Sequence, residues 1–201
     1  FYYGSQRDAP DGAYNWRITQ WILPSNSIIP HPKYPISSRA YIPIDDDNTF
    51  VFGTSFNPDA PMTQEEREYL ETGLGAAPET IPGTFTPVIN RDNNYMLDRD
   101  SQRAGNATGI PGVNNQDRAI VESMGPIVDR ENEHLGTSDK ALISSRRQLM
   151  QLAKDLQNGI EPLLPHNPAM FGVRAIDVIS PSDELETVVE THKGSLRLPS
   201  R

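Results

Sequence analysis

Asn115 to Arg130, with the sequence NQDRAIVESMGPIVDR, is the stretch around which we interpret the rest of the chain. Three apolar residues follow Asp117 at three, four and seven positions: Ile120, Val121 and Met124. Residues with this spacing share one face of a helix. The pattern therefore predicts a helix that turns the Asp117 carboxylate toward the core, where a charge needs a partner or a metal.

A second interpretation of Asp117 needs no metal. A carboxylate in the first turn of a helix is stabilised by the helix dipole by roughly 0.3 to 1 kcal/mol, and carboxylates are common there. The spacing alone leaves both alternatives open, a contact with the helix dipole and a metal ligand.

The composition excludes several classes of protein. A chain of 201 residues predicts one domain. Its net charge of −9 argues against a nucleic-acid partner. No apolar run approaches the roughly 18 residues that a membrane span needs, so we expect no membrane partner and a cytoplasmic location. Because the chain has no cysteine, it contains no disulfide, thiolate nucleophile or cysteine-bound cluster.

The first part of the chain has the pattern of an antiparallel sheet, over about residues 14–56. Apolar residues alternate between Tyr14 and Leu23, which predicts a half-buried strand. Two further runs, 36–44 and 49–56, flank the acidic turn 45–48, as in a hairpin. Residues before Gly12 are expected to be a loop or the tail of an upstream strand.

Helices are predicted further along the chain. Thr63 to Glu66 has the pattern of a capped helix start, and residues 73–113 are rich in loops. After the Asp117 helix, a long helix is predicted to begin at Thr137 or Ser138 and to end at Gly159. Helices therefore fill about residues 116–158, and the long one is expected to pack on the sheet. This order predicts an α+β fold.

The remaining residues, 171–201, are predicted to form one more strand, from Phe171 to Ile179, and an acidic tail. We expect the tail, residues 182–201, to lie on the surface or to reach a neighbouring subunit.

The motif of residues 122–130, ESMGPIVDR, with 133–139, EHLGTSD, resembles the C-terminal catalytic region of Rieske non-heme iron oxygenases of the phthalate 4,5-dioxygenase type. The resemblance also includes residues 90–95, NRDNNY, and extends over about residues 14–179, with Asp98-Arg99, Gln102-Arg103 and Arg146-Arg147 among its other matching residues. We expect the Asn93 to Gln102 region to be hydrogen-bonded scaffolding rather than catalytic machinery.

The resemblance implies a fold and a cofactor site. The family's catalytic domain is an antiparallel sheet that grips a long helix, similar to START proteins, and only part of that domain is expected here. Asp117 matches the carboxylate of a two-histidine, one-carboxylate site for mononuclear Fe(II). The chain's histidines, His31, His134, His166 and His192, include no pair four or five residues apart. One of three iron ligands is therefore expected in this chain.

The family's other cofactors and its partners are implied in the same way. A Rieske 2Fe-2S cluster needs two cysteines and two histidines, so it must lie in an N-terminal region absent from this chain. Electrons from NAD(P)H reach that cluster through a reductase. The aromatic substrate reacts with O2 to give a cis-dihydrodiol or, in some members, an O-demethylated product. Full-length members are homotrimers or higher oligomers, and we expect this chain alone to be inactive.

Arg17 is the second candidate site residue, in the middle of a predicted strand. An arginine that points into a cavity pairs bidentately with a substrate carboxylate, whereas an arginine on the other face is merely solvated. No residue is assigned as an acid, base or nucleophile. His134, and the pair Glu122 and Asp129, carry weaker signals for a ligand or for acid–base chemistry.

Two rival functions remain from the sequence. One is a START-like module that binds a hydrophobic ligand without metal or chemistry, which the missing cysteines and histidine pair favour. The other is a truncated product that assembles only with other chains.

Overall fold

The computed structural model describes residues 1–30, 35–57, 60–75 and 77–197. The chain forms two compact units, Phe1–Ile36 with Asn132–Arg201, and Ser37–Glu131. The strands of the described residues are β1 (Tyr2–Asp8), β2 (Tyr14–Ile22), β3 (Asn26–Ile29), β4 (Ile36–Pro43), β5 (Thr49–Phe56) and β6 (Ile176–Ser180). The α-helices are α1 (Gln64–Glu71), α2 (Arg99–Arg103), α3 (Val113–Ser123), α4 (Lys140–Gln157) and α5 (Leu185–Thr191). These elements confirm the α+β class.

Strand β2 is the centre of the sheet in the first unit. It pairs antiparallel with β1, from Tyr14 opposite Asp8 to Gln20 opposite Tyr2. On its other edge, its first half pairs with β6 and its second half with β3, both antiparallel. The residues before Gly12 therefore form a strand of this sheet rather than a loop.

The alternation in β2 forms the core of this unit. Trp16 and Ile18 are 5% and 0% exposed, and they pack against Val188 of α5 and against Leu196. The indole Nε1 of Trp16 donates a hydrogen bond of 2.9 Å to the carbonyl of Ser182, so its polar edge is satisfied. This burial confirms a buried apolar face in the predicted strand and shows that α5 covers it, although Thr19 on the opposite face is also buried, at 7% exposed.

The prediction of a surface tail holds for most of the described residues 182–197, which are exposed, but Val188 and Leu196 are buried. Leu185, Val188 and Val189 are spaced as on one face of a helix, and all three belong to the core cluster or pack against it. The acidic residues between them lie on the other sides of α5. The last strand is also shorter than predicted, because a 3-10 helix occupies Pro168–Phe171 and β6 begins at Ile176.

Helix α4 has the predicted position but not the predicted packing. Its 18 residues give a length of about 27 Å, and Gly159 follows it with a positive φ of 77°. No residue of α4 is buried, and its apolar residues Leu142 and Leu156 are 40% and 57% exposed. A long helix gripped by the sheet is therefore not confirmed. Arg146 forms a bidentate ion pair with Glu133, at 2.5 and 3.0 Å, which raises the pKa of Arg146.

The second unit contains the predicted hairpin and the predicted capped helix. β4 and β5 flank a turn in which Asp45 accepts hydrogen bonds from the Asn48 side chain and from the backbone of Asp47 and Asn48. These bonds, the Asn48 side chain first, lower the pKa of Asp45. At α1, Thr63 and Glu66 form a reciprocal capping box.

The described residues contain no helix that is both long and apolar enough to cross a bilayer.

Candidate metal centre and its supports

Helix α3 carries Asp117 and begins four residues earlier than Asp117. Its first residue is Val113, and the preceding Gly112 has a positive φ of 77°. A side chain on Gly112 would be strained at this φ, and its Cβ would lie 2.9 Å from the Leu74 side chain. Because Asp117 is the fifth helical residue, the first turn of α3 contains no acidic residue. The helix-dipole interpretation of Asp117 is therefore wrong.

The buried face of α3 is the opposite of the predicted one. Asn115 and Ala119 are buried. The side of the helix that carries Asp117 is exposed to solvent, and its apolar residues Ile120, Val121 and Met124 are between 50% and 68% exposed. The Asn115 side chain donates to the Pro111 carbonyl at 2.8 Å and accepts from Arg118 at 2.9 Å. Both the nitrogen and the oxygen of this buried amide therefore have a hydrogen-bond partner. Because the Asp117 side chain is 58% exposed, the expectation that it points into the core is wrong.

A polar cluster of Tyr95, Arg118 and Glu122 holds the buried side of α3. The Tyr95 hydroxyl donates to a Glu122 carboxylate oxygen at 2.5 Å, and the other carboxylate oxygen lies 3.7 Å from Arg118 Nε. Arg118 also donates to the Ile89 carbonyl, and Arg91 donates to the Glu122 carbonyl. Burial lowers the pKa of Arg118, while Glu122 opposes that shift. This cluster ties α3 to the loop before it.

The loop that precedes α3 is hydrogen-bonded scaffolding, as predicted. Asn90 accepts from the Asp92 backbone at 2.9 Å, and Asn93 accepts from the Asn90 backbone at 3.0 Å. Asp98 caps α2 by accepting from two backbone N–H groups, at 2.8 and 3.2 Å. Tyr95 itself has a left-handed φ of 54°, which turns its ring into a small cluster with Ile110 and Ala119.

Tyr95 gives this cluster a defined response to alkaline pH. Burial, and then the hydrogen bond to Glu122, raise the pKa of Tyr95 above its ordinary value of 10.0. An unfolded tyrosine ionises near pH 10, so above that pH the unfolded state releases its proton first. The contribution of Tyr95 to the free energy of unfolding is therefore fully present below about pH 10, and it is lost as pH rises through the higher pKa of the folded state.

We expect Tyr95→Phe to reduce the loss of unfolding free energy between pH 8 and pH 11, because the variant lacks the ionising group. Urea denaturation at both values measures the difference. Tyr41→Phe, at a position 42% exposed, controls for removing a hydroxyl. An alkaline loss of equal size in wild type and Tyr95→Phe would show that Tyr95 is not the responsible group.

The Asp117 carboxylate lies next to one guanidinium. Its side chain is 58% exposed, and Arg39 Nη1 is 3.9 Å from Asp117 Oδ2. In the part of the chain that the structure describes, no hydrogen bond reaches the Asp117 carboxylate. Carboxylate oxygen is a suitable ligand for Fe(II), and this one is accessible. The described ranges, which exclude His31, bring together no group of three histidine or carboxylate side chains that could hold a metal.

Arg17 lies on β2 and is already paired within its own unit. Its Nη2 donates to the Pro30 carbonyl at 2.8 Å, and its Nε lies 3.4 Å from Asp177 Oδ2. Asp177 is directly opposite Arg17 in the β2–β6 pairing and also accepts from Asn15 at 2.7 Å. These contacts give Arg17 a structural role, and its binding of a substrate stays a prediction.

The weaker candidates have ordinary surroundings. His134 is exposed. The carboxylate of Glu122 is occupied by Tyr95 and Arg118, and Asp129 accepts from the Glu131 backbone at 3.0 Å. A catalytic pair of Glu122 and Asp129 gains no support from these contacts.

Comparison with known proteins gives the chain a family. Residues 7–183 match the family described as LigXa C-terminal domain like. The chain is 35% identical over 145 residues to the phthalate 4,5-dioxygenase oxygenase subunit of Pseudomonas putida, covering 71% of this chain and 32% of that protein. It is 28% identical over 167 residues to the 3-chlorobenzoate-3,4-dioxygenase oxygenase subunit of Comamonas testosteroni, covering 74% and 38%.

The chain thus spans about a third of the length of these relatives. The matched range contains the Asp117 helix, the Tyr95 loop and the β2 strand. The chain belongs to the LigXa C-terminal-domain-like family, as the C-terminal domain of a Rieske oxygenase of the phthalate 4,5-dioxygenase type.

Proposed function

We propose that this chain is part of a terminal oxygenase that hydroxylates an aromatic acid with O2 and with electrons relayed from a Rieske 2Fe-2S cluster. The two relatives are named as oxygenase subunits that act on phthalate and 3-chlorobenzoate. Both compounds are aromatic carboxylates, and this supports a carboxylated aromatic substrate.

The main structural support for the proposal is the position of the Asp117 carboxylate. Its carboxylate is 58% exposed, contacts Arg39 only at 3.9 Å, and lies on an exposed apolar face of α3. A carboxylate anchored on a rigid helix but left without a hydrogen bond in the described residues is suited to bind a cation. We propose that Asp117 is the carboxylate ligand of mononuclear Fe(II), which supplies the activation of O2 when bound.

The other parts of the site are proposed to come from sequence outside this chain. The relatives are about three times longer than the matched segment. We place two histidine ligands and the Rieske cluster in the rest of the parent protein, and we propose that this chain alone is inactive. In the complete catalytic domain, the exposed apolar residues of α3 and α4 would pack in a START-like helix-grip fold.

The proposal also names the partners of the complete protein. A reductase delivers electrons from NAD(P)H, and the oxygenase subunits associate as a homotrimer or a higher oligomer. Within this chain, the Tyr95 cluster orients α3 and hence Asp117. This division of roles assigns positioning to the buried side of α3 and ligation to its exposed side.

The test of this function uses the complete oxygenase subunit with a reductase and NADH. We expect O2 uptake that depends on 3-chlorobenzoate or phthalate, and a product that carries both atoms of O2. Formaldehyde release from a methoxylated substrate would instead assign the protein to the O-demethylating branch. Saturable binding of an aromatic compound without O2 uptake, in a protein loaded with both cofactors, would contradict the oxygenase and support the START-like module.

Arg17 is proposed as a contact for a substrate carboxylate. Because Arg17 already contacts Pro30 and Asp177, the test must separate a loss of substrate binding from a loss of these structural contacts. In the complete enzyme, Arg17→Gln should raise KM for a benzoate-type acid more than KM for its methyl ester. An equal loss on both compounds would mean that Arg17 acts only through its ion pair with Asp177.

A further inference from the structure

Arg39 is the guanidinium nearest the Asp117 carboxylate, and most of its side chain is shielded from solvent. It lies on β4, and its side chain is 16% exposed. Asp117 on α3 is its charged partner, at 3.9 Å, and both residues belong to the same compact unit. At this distance the pair is electrostatic, because a hydrogen bond needs about 3.2 Å or less. The five donors of Arg39 make no hydrogen bond within the described residues.

Other arginines of the chain differ from Arg39 in this respect. Arg118 donates to Asn115 at 2.9 Å, Arg146 is bidentate on Glu133, and Arg17 donates to Pro30. Each of these guanidinium groups has a hydrogen-bonded acceptor, and each therefore has a structural explanation. Arg39 has an anionic neighbour but no acceptor in the described part, so its fork of donors remains available.

The balance of charge beside Asp117 indicates what Arg39 would bind. While Asp117 faces Arg39 alone, the two charges cancel. If Asp117 ligates a divalent cation, as in the proposed function, its charge is shared with that cation and the pair becomes a cationic site. A shielded guanidinium that loses its counter-charge is costly unless another anion replaces it. An anion arriving beside Asp117 would restore the balance.

We propose that Arg39 binds the carboxylate of an aromatic acid substrate beside Asp117. The planar guanidinium matches a carboxylate with two parallel hydrogen bonds. The face of α3 that carries Asp117 also carries Ile120 and Val121, both exposed, which offer apolar contact to an aromatic ring. This inference rests on the proposed function, because it needs Asp117 to be engaged by a cation.

The experiment measures equilibrium binding to the complete, iron-loaded subunit under anaerobic conditions, without turnover. The probes are 3-chlorobenzoate and its methyl ester, which differ by the charge. In Arg39→Gln, we expect affinity for the acid to fall about 10- to 100-fold, the range of a charge-assisted hydrogen bond, and affinity for the ester to stay within about twofold. Arg39→Lys, which keeps the charge but not the fork, should lie between the two.

Arg103→Gln is the matched control, because Arg103 is 72% exposed and pairs with Asp100 on the surface. It should leave both affinities unchanged. Unchanged ester binding in Arg39→Gln also shows that the variant is folded. Equal changes for acid and ester, no change for either, or a wild type that does not prefer the acid would each overturn the inference.

The iron content of each sample separates this inference from the proposed function. Iron-loaded Arg39→Gln protein that binds the acid normally overturns the role of Arg39 and leaves the oxygenase intact. Wild-type protein that retains no mononuclear iron overturns the proposed function itself.

Discussion

Replacing Asp117 with Asn in the complete oxygenase subunit is expected to remove mononuclear iron and to lower turnover below about 1% of wild type. The neutral amide is a poor ligand for Fe(II), and loss of a direct ligand should exceed the roughly 10- to 100-fold cost of losing an outer-shell partner. Because Asp117 is 58% exposed and its contact with Arg39 is long, the free energy of unfolding should change by no more than about 0.5 kcal/mol.

Iron analysis, turnover and urea denaturation on the same preparation check the three parts of this prediction. Asp100→Asn is the matched control, since Asp100 is 86% exposed on α2 and pairs with Arg103. It should retain full iron and activity. Normal iron occupancy and turnover in Asp117→Asn would remove Asp117 from the metal site.

Ile18→Ala should destabilise the chain by about 2 to 5 kcal/mol, the cost of deleting a large buried aliphatic side chain. Ile18 is 0% exposed and lies in the cluster with Trp16, Val188 and Leu196. Since small domains have about 5 to 15 kcal/mol of total stability, this change alone should lower the urea midpoint markedly. The measurement is urea denaturation of this chain, followed by tryptophan fluorescence.

Ile179→Ala on β6 makes the same chemical change at a position 60% exposed, and should cost less than about 1 kcal/mol. If both variants lost the same stability, the α5 residues would not cover the β2 face as described. Val188→Ala, on the other side of the same contact, should also be destabilising and provides a second test of the α5 packing.

Several elements could be predicted from residues that are close together in the sequence. The alternation of β2 predicted the buried apolar face with Trp16 and Ile18, because strand side chains alternate with a strict period of two, but it did not predict the burial of Thr19 on the opposite face. Thr63 and Glu66 predicted the start of α1, because a capping box depends on residues only three apart. The 45–48 turn and the scaffold after Asn90 were also predicted, since their hydrogen bonds join near neighbours.

The faces of the helices were harder to predict. The periodicity of α3 identified correctly which residues share a face with Asp117, but not which face is buried. That choice depends on Asn115 and Arg118, whose polar side chains find partners on the loop. Arg118 and Glu122, four residues apart, carried a readable signal for an ion pair. The α5 core was missed because its few apolar residues lie among acidic ones.

Contacts between distant segments had no signal in a single sequence. Arg39 and Asp117 are far apart in the chain, and only the fold brings β4 and α3 within 3.9 Å. The pairing of Arg17 with Asp177 depends in the same way on the register of β2 with β6. The Asp117 assignment came instead from the resemblance to the oxygenase family, which the comparisons confirm at the level of the family.

The most direct test of the central claim is to read the coding sequence upstream of Phe1. The claim is that this domain supplies one iron ligand to an oxygenase whose other ligands and Rieske cluster lie elsewhere in the same protein. We predict an open frame that encodes Cys-x-His, then Cys-x-x-His, and then a histidine pair spaced His-x-x-x-x-His. A start codon immediately before Phe1, with no such motifs in frame, would contradict the claim and favour a binding module without iron.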